Sequence, residues 1–169
     1  MTGEALAGRP EMSGWGRRWA LPGACVVAAA VTLLVQVWAA TDAPVGVFYD
    51  DGLYVLLARA LAEGEGYRYL NLPGAPAAVH YPPAYPFVLS WLWRWGPAFP
   101  AVVPWMKALN AVCMAGAAGS ITLYLARRLD LPPVWAAAVP AATLAAVPVL
   151  AVSTVLFSEP LFLVWAVAA

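Results

Sequence analysis

Two adjacent acids, Asp50 and Asp51, are the side chains whose type and spacing best suit chemistry in this sequence. They lie in a short polar window, ten residues beyond an apolar run that ends at Ala40. Carboxylates at the mouth of a membrane cavity can take a proton from an acceptor nucleophile or hold a divalent cation against a phosphate. The pair is therefore predicted to be catalytic, and both acids are candidate metal ligands.

Helix capping is the structural alternative for the same two residues. An Asp at the start of a helix accepts hydrogen bonds from the unpaired amides of the first turn, which is worth about 1 kcal/mol. One Asp is enough for that role, and a second acid beside it adds repulsion. Capping and catalysis both stay open, as does the choice between Asp50 and Asp51.

Glu159, in the segment Phe157-Ser158-Glu159-Pro160, is a third candidate acid. If it met the two aspartates across one cavity, it would bind substrate or complete a metal site. The structural alternative is a helix start, because Ser158 can cap, Pro160 suits a first turn and an acid there is favourable.

Four basic side chains are candidates for contacting a phosphate. His80 lies in a proline-rich segment that is long enough to fold back over a cavity, although an exposed loop histidine is the simpler interpretation. Arg59, Arg68 and Lys107 could steady a phosphate on the same side of the membrane. No cofactor is identified by the sequence beyond a divalent cation, which the acids suggest.

The composition indicates an integral membrane protein with an all-α, multi-spanning fold. Hydrophobic residues make up 63% of the chain, charged residues 11%, and the mean hydropathy is +0.75. A helix needs about 20 apolar residues to cross a bilayer. The predicted order is a cytoplasmic tail (1–20), a first span (21–40), an external loop (41–107), a second span (108–126), a third span kinked by Pro140 and Pro148 (131–157) and the start of a truncated fourth span (159–169).

Charge distribution predicts the orientation. Basic residues precede the first span (Arg9, Arg17, Arg18) and close the second (Arg127, Arg128), so the positive-inside rule puts the N-terminus in the cytoplasm of a multi-pass cell-membrane protein. A cleaved signal peptide is the alternative for the first apolar run. The net charge is zero, which gives no indication of a nucleic-acid partner. Cys25 and Cys113 fall in separate spans and are interpreted as packing residues.

The external loop is predicted to contain amphipathic surface helices. Apolar residues recur at helical spacing from Leu53 to Leu61, and Gly64 and Gly66 follow as stop signals. Three prolines within residues 82–86 exclude a helix interior there. The Trp-rich stretch from Phe87 to Trp95 favours a second helix at the headgroup level.

The order of these elements resembles the GT-C superfamily of membrane glycosyltransferases, close to protein O-mannosyltransferases and the lipid A aminoarabinose transferase. The resemblance rests on YDDGLYVLLARALAEGEGY, HYPPAYPFVLSWLW and FSEPLFL, and covers about residues 25–169. It implies an enzyme that moves a sugar from a polyprenyl-phosphate carrier to a lipid, glycan or protein acceptor on the extracytoplasmic side. The essential acid of the first external loop carries over to Asp50 or Asp51, and a second acid to Glu159. The segment around Tyr81 is implied to line the substrate cavity.

A non-enzymatic membrane protein, either a transporter or an assembly subunit, is the alternative function. Transporters usually place ionisable residues within their spans near the bilayer midplane. The three predicted spans contain none, which favours the transferase. The sugar, the acceptor and the oligomeric state are left open by the sequence.

Overall fold

Helices account for nearly all of the regular structure, as the sequence predicts. A computed structural model describes residues 14–42 and 44–168, and within these ranges the only other element is an isolated antiparallel bridge between Arg68 and Ala77. The helices are α1 (Gly14–Ala39), α2 (Asp50–Glu63), α3 (Ala84–Trp95), α4 (Val103–Arg128), α5 (Pro133–Leu144), α6 (Val147–Ser153) and α7 (Glu159–Ala168).

Within the described residues, two helices are long and apolar enough to cross a membrane. They are α1, from Trp19 to Ala39, and α4, and the bent pair of α5 and α6 would count as a third span if it crosses as one unit. Helix α4 begins at Val103, five residues before the predicted start of the second span at Ala108. Pro104 lies in its first turn, where the missing amide hydrogen has no helical partner to lose.

The predicted third span, kinked at Pro140 and Pro148, consists of two separate helices. Helix α5 ends at Leu144, α6 begins at Val147, and the two axes differ by 67°. In a continuous helix the Pro148 ring would clash with the carbonyl group of Leu144, four residues earlier. The break therefore occurs at Pro148, while Pro140 is accommodated inside α5.

Helix α1 begins at Gly14, inside the segment that the sequence assigns to a cytoplasmic tail. Residues 17–20 are Arg, Arg, Trp and Ala, and arginine and alanine are good helix formers, so the helix extends back from the apolar run. Arg9, and the side chains of Arg17 and Arg18, lie outside the described residues, as does Ala169 at the end of the predicted fourth span.

The helices form two packing groups joined by α4. Helix α1 packs against α4 and α5, with Ala28, Ala118 and Ala137 in their shared core. Gly119 faces α1 there, and a Cβ atom at this position would be in ordinary van der Waals contact with the carbonyl oxygen of Cys25, 3.6 Å away.

The second group joins α2 and α3 to the start of α4 and to the segment between α6 and α7. Its core contains residues from all four parts (Tyr54, Val55, Ala58, Tyr85, Leu89, Val102, Met106 and Leu156). Helix α2 ends at Gly64, which adopts a left-handed conformation with φ of 83°. This group carries Asp50 and Asp51.

Candidate functional site

Asp51 is buried and holds the turn that precedes α2. Its side chain is 3% exposed, and its two oxygens accept hydrogen bonds from the backbone amides of Gly46 (2.8 Å) and Phe48 (3.2 Å). Gly52 fits against the same turn, because a Cβ atom there would lie 3.1 Å from the Gly46 Cα. Both carboxylate oxygens of Asp51 therefore position the backbone that leads into the helix.

The capping interpretation assigned the wrong amide groups as hydrogen-bond partners of the aspartates. No side chain at the start of α2 accepts a hydrogen bond from an amide of the first helical turn. The amides that Asp51 does bind belong to the preceding turn, because Gly46 and Phe48 fold back over the helix start. Both aspartates still lie in the first turn of α2, at the positive end of the helix dipole.

Tyr49 connects this turn to Asp50 through a strained backbone. Its φ and ψ are 65° and −59°, and the Asp50 amide donates to the Phe48 carbonyl oxygen at 2.7 Å. This is a γ-turn with positive φ, a rare conformation that is costly for a bulky residue. Strain of this kind persists only where the surroundings enforce it, and it concentrates at functional sites.

Asp50 is half-buried, and a tyrosine from a distant part of the chain contacts it. The Tyr81 hydroxyl group donates a hydrogen bond of 2.5 Å to Oδ1 of Asp50. The proline-rich segment thus folds back onto the aspartate pair, with Tyr81 rather than His80 making the contact. His80 is exposed, and its ring lies edge-on to Tyr81 with centroids 5.8 Å apart.

Tyr54 links Asp50 to the segment that contains Glu159. It lies one helical turn after Asp50, and its hydroxyl group shares a hydrogen bond of 3.0 Å with Oγ of Ser158. Burial raises the pKa of Tyr54, the Ser158 hydrogen bond lowers it, and the charges of Glu159 and Asp50 raise it further. Both carboxylates therefore lie within electrostatic range of this one hydroxyl group, and Glu159 itself is exposed at the start of α7.

Tyr81 and Tyr54 pack edge-on at a ring-centroid distance of 5.3 Å, so the phenols that bind Asp50 and Ser158 are in direct contact. The hydrogen bond to Asp50, followed by burial, raises the pKa of Tyr81 well above its usual range. Both phenols are neutral at physiological pH. Together they place two hydroxyl groups that form hydrogen bonds with Asp50 and with Ser158, the residue before Glu159.

Asn110 in α4 holds the backbone beneath these tyrosines. It is fully buried, accepts a hydrogen bond from the Tyr85 hydroxyl group at 3.0 Å, and donates to the carbonyl oxygens of Val155 (2.7 Å) and Phe157 (3.3 Å). Tyr85 packs edge-on against Tyr54 at 5.0 Å. The irregular segment between α6 and α7 has its carbonyl groups satisfied in this way, which fixes the start of α7 and therefore Glu159.

The chain has no match among family models, curated proteins or solved structures.

Two of the basic residues that the sequence suggests for a phosphate make other contacts. Arg59 is exposed, pairs with Glu63 at 2.8 Å, and lies nine residues after Asp50, about 13 Å along the helix axis. Arg68 is exposed and donates to the carbonyl oxygen of Ala75 within its own loop. Neither is brought to the aspartates.

Lys107 belongs to a separate cavity of about 520 Å³ at the end of α1. Its Nζ donates to the carbonyl oxygen of Thr41 at 2.7 Å, and the side chains of Asp42 and Gln36 line the same space. Asp50, Asp51 and Glu159 do not line it. The sequence interpretation therefore assigned Lys107 and the acids to one site, whereas the structure places Lys107 in a cavity that the acids do not line.

The predicted three-acid metal site does not form. The described part of the chain contains no group of three or more His, Cys, Asp or Glu side chains placed to hold a metal ion. Both oxygens of Asp51 already bind backbone amides, and one oxygen of Asp50 binds Tyr81. These hydrogen bonds leave Oδ2 of Asp50 as the carboxylate oxygen of the pair that accepts no hydrogen bond from a described residue.

The sequence interpretation missed Tyr54, Tyr85, Ser158 and Asn110 as parts of one network. Tyr54 had a usable signal, since it follows Asp50 by four residues and so shares its helix face. Asn110 is a polar residue within an apolar run, a pattern that predicts an interhelical hydrogen bond. Its partners in the 155–157 segment had no sequence signal.

Proposed function

We propose that this chain belongs to a membrane transferase that moves a sugar from a polyprenyl-phosphate carrier to an acceptor on the extracytoplasmic side, with Asp50 as the general base. The observation that carries the proposal is that Asp50 and Asp51 have different hydrogen-bond partners. Asp51 uses both oxygens to hold the backbone, whereas Asp50 is half-buried and has one oxygen unused by the hydrogen bonds of the described residues. A base must reach its proton, and Asp50 meets that requirement.

The proposed reaction is a displacement at the anomeric carbon of the sugar. The acceptor oxygen or nitrogen forms a bond to that carbon, the bond from the carbon to the phosphate oxygen breaks, and polyprenyl phosphate leaves with the electron pair. The proton of the acceptor passes to Asp50. Displacement from the opposite face inverts the anomeric configuration.

Tyr81 and Tyr54 support this role by their protonation state. Neutral phenols can donate hydrogen bonds, and Tyr81 already donates one to Asp50. The hydrogen bond from Tyr81 orients the Asp50 carboxylate. Tyr54 forms a hydrogen bond with Ser158, the residue before Glu159. In the proposed site Glu159, exposed at the start of α7, binds acceptor hydroxyl groups.

The proposed topology places α1 and α4 across the cell membrane with the N-terminus in the cytoplasm, and α2 and α3 on the outer surface. Arg127 and Arg128 in the last turn of α4 support this orientation by the positive-inside rule. The site then faces the side on which a lipid-linked sugar is presented. Multi-pass crossing by the α5 and α6 pair is part of the same proposal.

Transport is the second candidate, and the break between α5 and α6 is the observation that favours it. Discontinuous helices often form transporter binding sites. Transporters pair such breaks between repeated halves, and the described residues contain one bent pair of this kind. The hydrogen bonds of Asp50 and Asp51 involve no residue of this pair, which favours the transferase, whereas Glu159 lines a cavity together with Pro148 and Val152 of α6.

A direct assay separates the two candidates. Membranes containing the protein from its complete reading frame would receive polyprenyl phosphates carrying labelled mannose, glucose or aminoarabinose. The transferase predicts label in a new lipid, glycan or protein product with release of polyprenyl phosphate. Label that accumulates inside sealed vesicles without any new bond would contradict the transferase and support transport.

A further inference from the structure

The cavity at the end of α1, which we call the outer cavity, contains a buried polar group without a partner. Gln36 is 2% exposed, and its Oε1 accepts a hydrogen bond of 2.9 Å from Oγ of Ser153. The Nε2 atom of Gln36 is buried and has no hydrogen-bond partner among the described residues. A buried amide nitrogen without a hydrogen-bond acceptor is unfavourable in apolar surroundings. A bound molecule that placed an acceptor oxygen at Nε2 of Gln36 would remove this cost.

The outer cavity has the shape and lining of a lipid site. Its volume of about 520 Å³ falls within the range of about 300–1,000 Å³ that is usual for ligand pockets. Apolar side chains from α1, α4 and the loop before α4 form most of the wall, including Val37, Phe99 and Val103. Gln36 lies three residues before the end of α1, about 4.5 Å along the helix axis.

Two opposite charges lie in the lining of the same cavity. Lys107 is held near the end of α1 by its hydrogen bond to the Thr41 carbonyl oxygen. Asp42, the residue after Thr41, is exposed. A purely anionic headgroup would be attracted by Lys107 and repelled by Asp42. A headgroup that carries a phosphate and an ammonium group complements both charges.

We propose that the outer cavity binds a zwitterionic phospholipid with a primary ammonium group, of the phosphatidylethanolamine class. Its phosphate contacts Lys107, its ammonium group donates hydrogen bonds to Asp42, and an ester carbonyl oxygen accepts from Nε2 of Gln36. The ester lies deeper than the phosphate in such a lipid, which matches the position of Gln36 inside the helix end. One acyl chain follows the apolar wall. The proposal does not depend on the transferase, because Asp50 and Glu159 do not line this cavity.

Lipid binding to the purified protein tests this assignment. Native mass spectrometry in detergent would titrate phosphatidylethanolamine, phosphatidylcholine and phosphatidylglycerol with identical acyl chains. We expect phosphatidylethanolamine to bind at least about fivefold more tightly than either of the others, the ratio expected for one additional hydrogen bond. Equal binding of all three lipids, or tightest binding of phosphatidylglycerol, would overturn the proposal.

Three variants assign the contacts. Asp42→Ala should reduce phosphatidylethanolamine binding to the level of phosphatidylcholine, since it removes the acceptor for the hydrogen bonds that only the primary ammonium group can donate. Gln36→Leu should weaken both lipids by about fivefold. Arg127→Gln, at the opposite end of α4, is the matched control and should change neither. Asp42 is exposed, so its variant tests the proposal even if Gln36→Leu fails to fold; unchanged lipid preference in Asp42→Ala would contradict it.

Discussion

The hydroxyl group of Tyr81 donates a hydrogen bond of 2.5 Å to the carboxylate of Asp50, across 31 positions of sequence. This contact fastens the proline-rich segment to the start of α2. It also gives Asp50 a fixed orientation, while Asp51 faces the backbone of the preceding turn. The two neighbouring acids therefore differ in burial, partners and expected consequences of mutation.

Tyr81→Phe should loosen the segment between α2 and α3. The variant removes a hydrogen bond to a charged group, which is worth about 1.5–3 kcal/mol, while keeping most of the ring contact with Tyr54. Limited proteolysis should then cut residues 67–83 faster than in the parent protein. Tyr69→Phe is the control, since none of the described residues forms a hydrogen bond with that hydroxyl group. Equal cleavage rates in both variants and the parent would refute the anchoring role.

Alkaline titration should show tyrosines that ionise late. Burial, as the largest cause, raises the pKa of Tyr67 from 10.0 to about 12, and the hydroxyl group donates to the Tyr81 carbonyl oxygen at 2.9 Å. Because the folded state favours the neutral phenol, this stabilisation is complete below pH 10 and is lost as the pH rises toward 12. Tyrosinate absorbance and unfolding measured over that interval test the effect. Tyr67→Phe should flatten the loss of stability there, and an unchanged loss would contradict it.

Tyr49→Gly should relieve the strained turn before Asp50. A positive-φ conformation costs a bulky residue about 1–3 kcal/mol, whereas glycine adopts it freely. Tyr49 is exposed, so little packing is lost, although the greater freedom of glycine in the unfolded chain offsets part of the gain. The free energy of unfolding in mixed micelles should stay equal or rise. A clear loss of stability would mean that the Tyr49 ring makes a contact that this structure does not contain.

Asn110→Leu should destabilise the whole second packing group. It leaves the Tyr85 hydroxyl group and the carbonyl oxygens of Val155 and Phe157 without their side-chain partner, at about 1–3 kcal/mol for each group that stays buried and unpaired. Thr122→Val, one more buried polar residue in α4, is the matched control because its hydroxyl group bonds only within its own helix. We expect a much larger decrease in unfolding free energy for Asn110→Leu. Similar decreases for the two variants would show that the network adds nothing.

The sequence predicted local features well where one physical rule dominated. The helical spacing from Leu53 to Leu61 and the stop at Gly64 correspond to α2 and its left-handed cap. The charge-free run before Ala40 corresponds to most of α1. The all-helical character likewise follows from composition and bilayer physics.

Relations between distant segments were not predictable from these rules. The spacing of Asp50 and Asp51 says nothing about which carboxylate meets backbone amides, because that depends on how Gly46 and Phe48 fold back over the helix. Lys107 and Asp50 both follow the first apolar run, yet packing of α4 against the end of α1 places Lys107 in the outer cavity. Pro148 lies in the first turn of α6 whereas Pro140 lies inside α5, and the sequence rule for proline is the same for both.

The most direct test of the central claim compares Asp50→Asn with Asp51→Asn in the protein from its complete reading frame. Sugar transfer from labelled polyprenyl phosphates and unfolding in mixed micelles would be measured on the same samples. Asp50→Asn should abolish transfer and lose no more than about 1–2 kcal/mol of stability, since an amide oxygen still accepts from Tyr81, without the charge, but cannot take the acceptor proton. Asp51→Asn should lose about 1–3 kcal/mol of stability and retain measurable transfer. Full transfer in Asp50→Asn, or complete loss in a stable Asp51→Asn protein, would contradict the account.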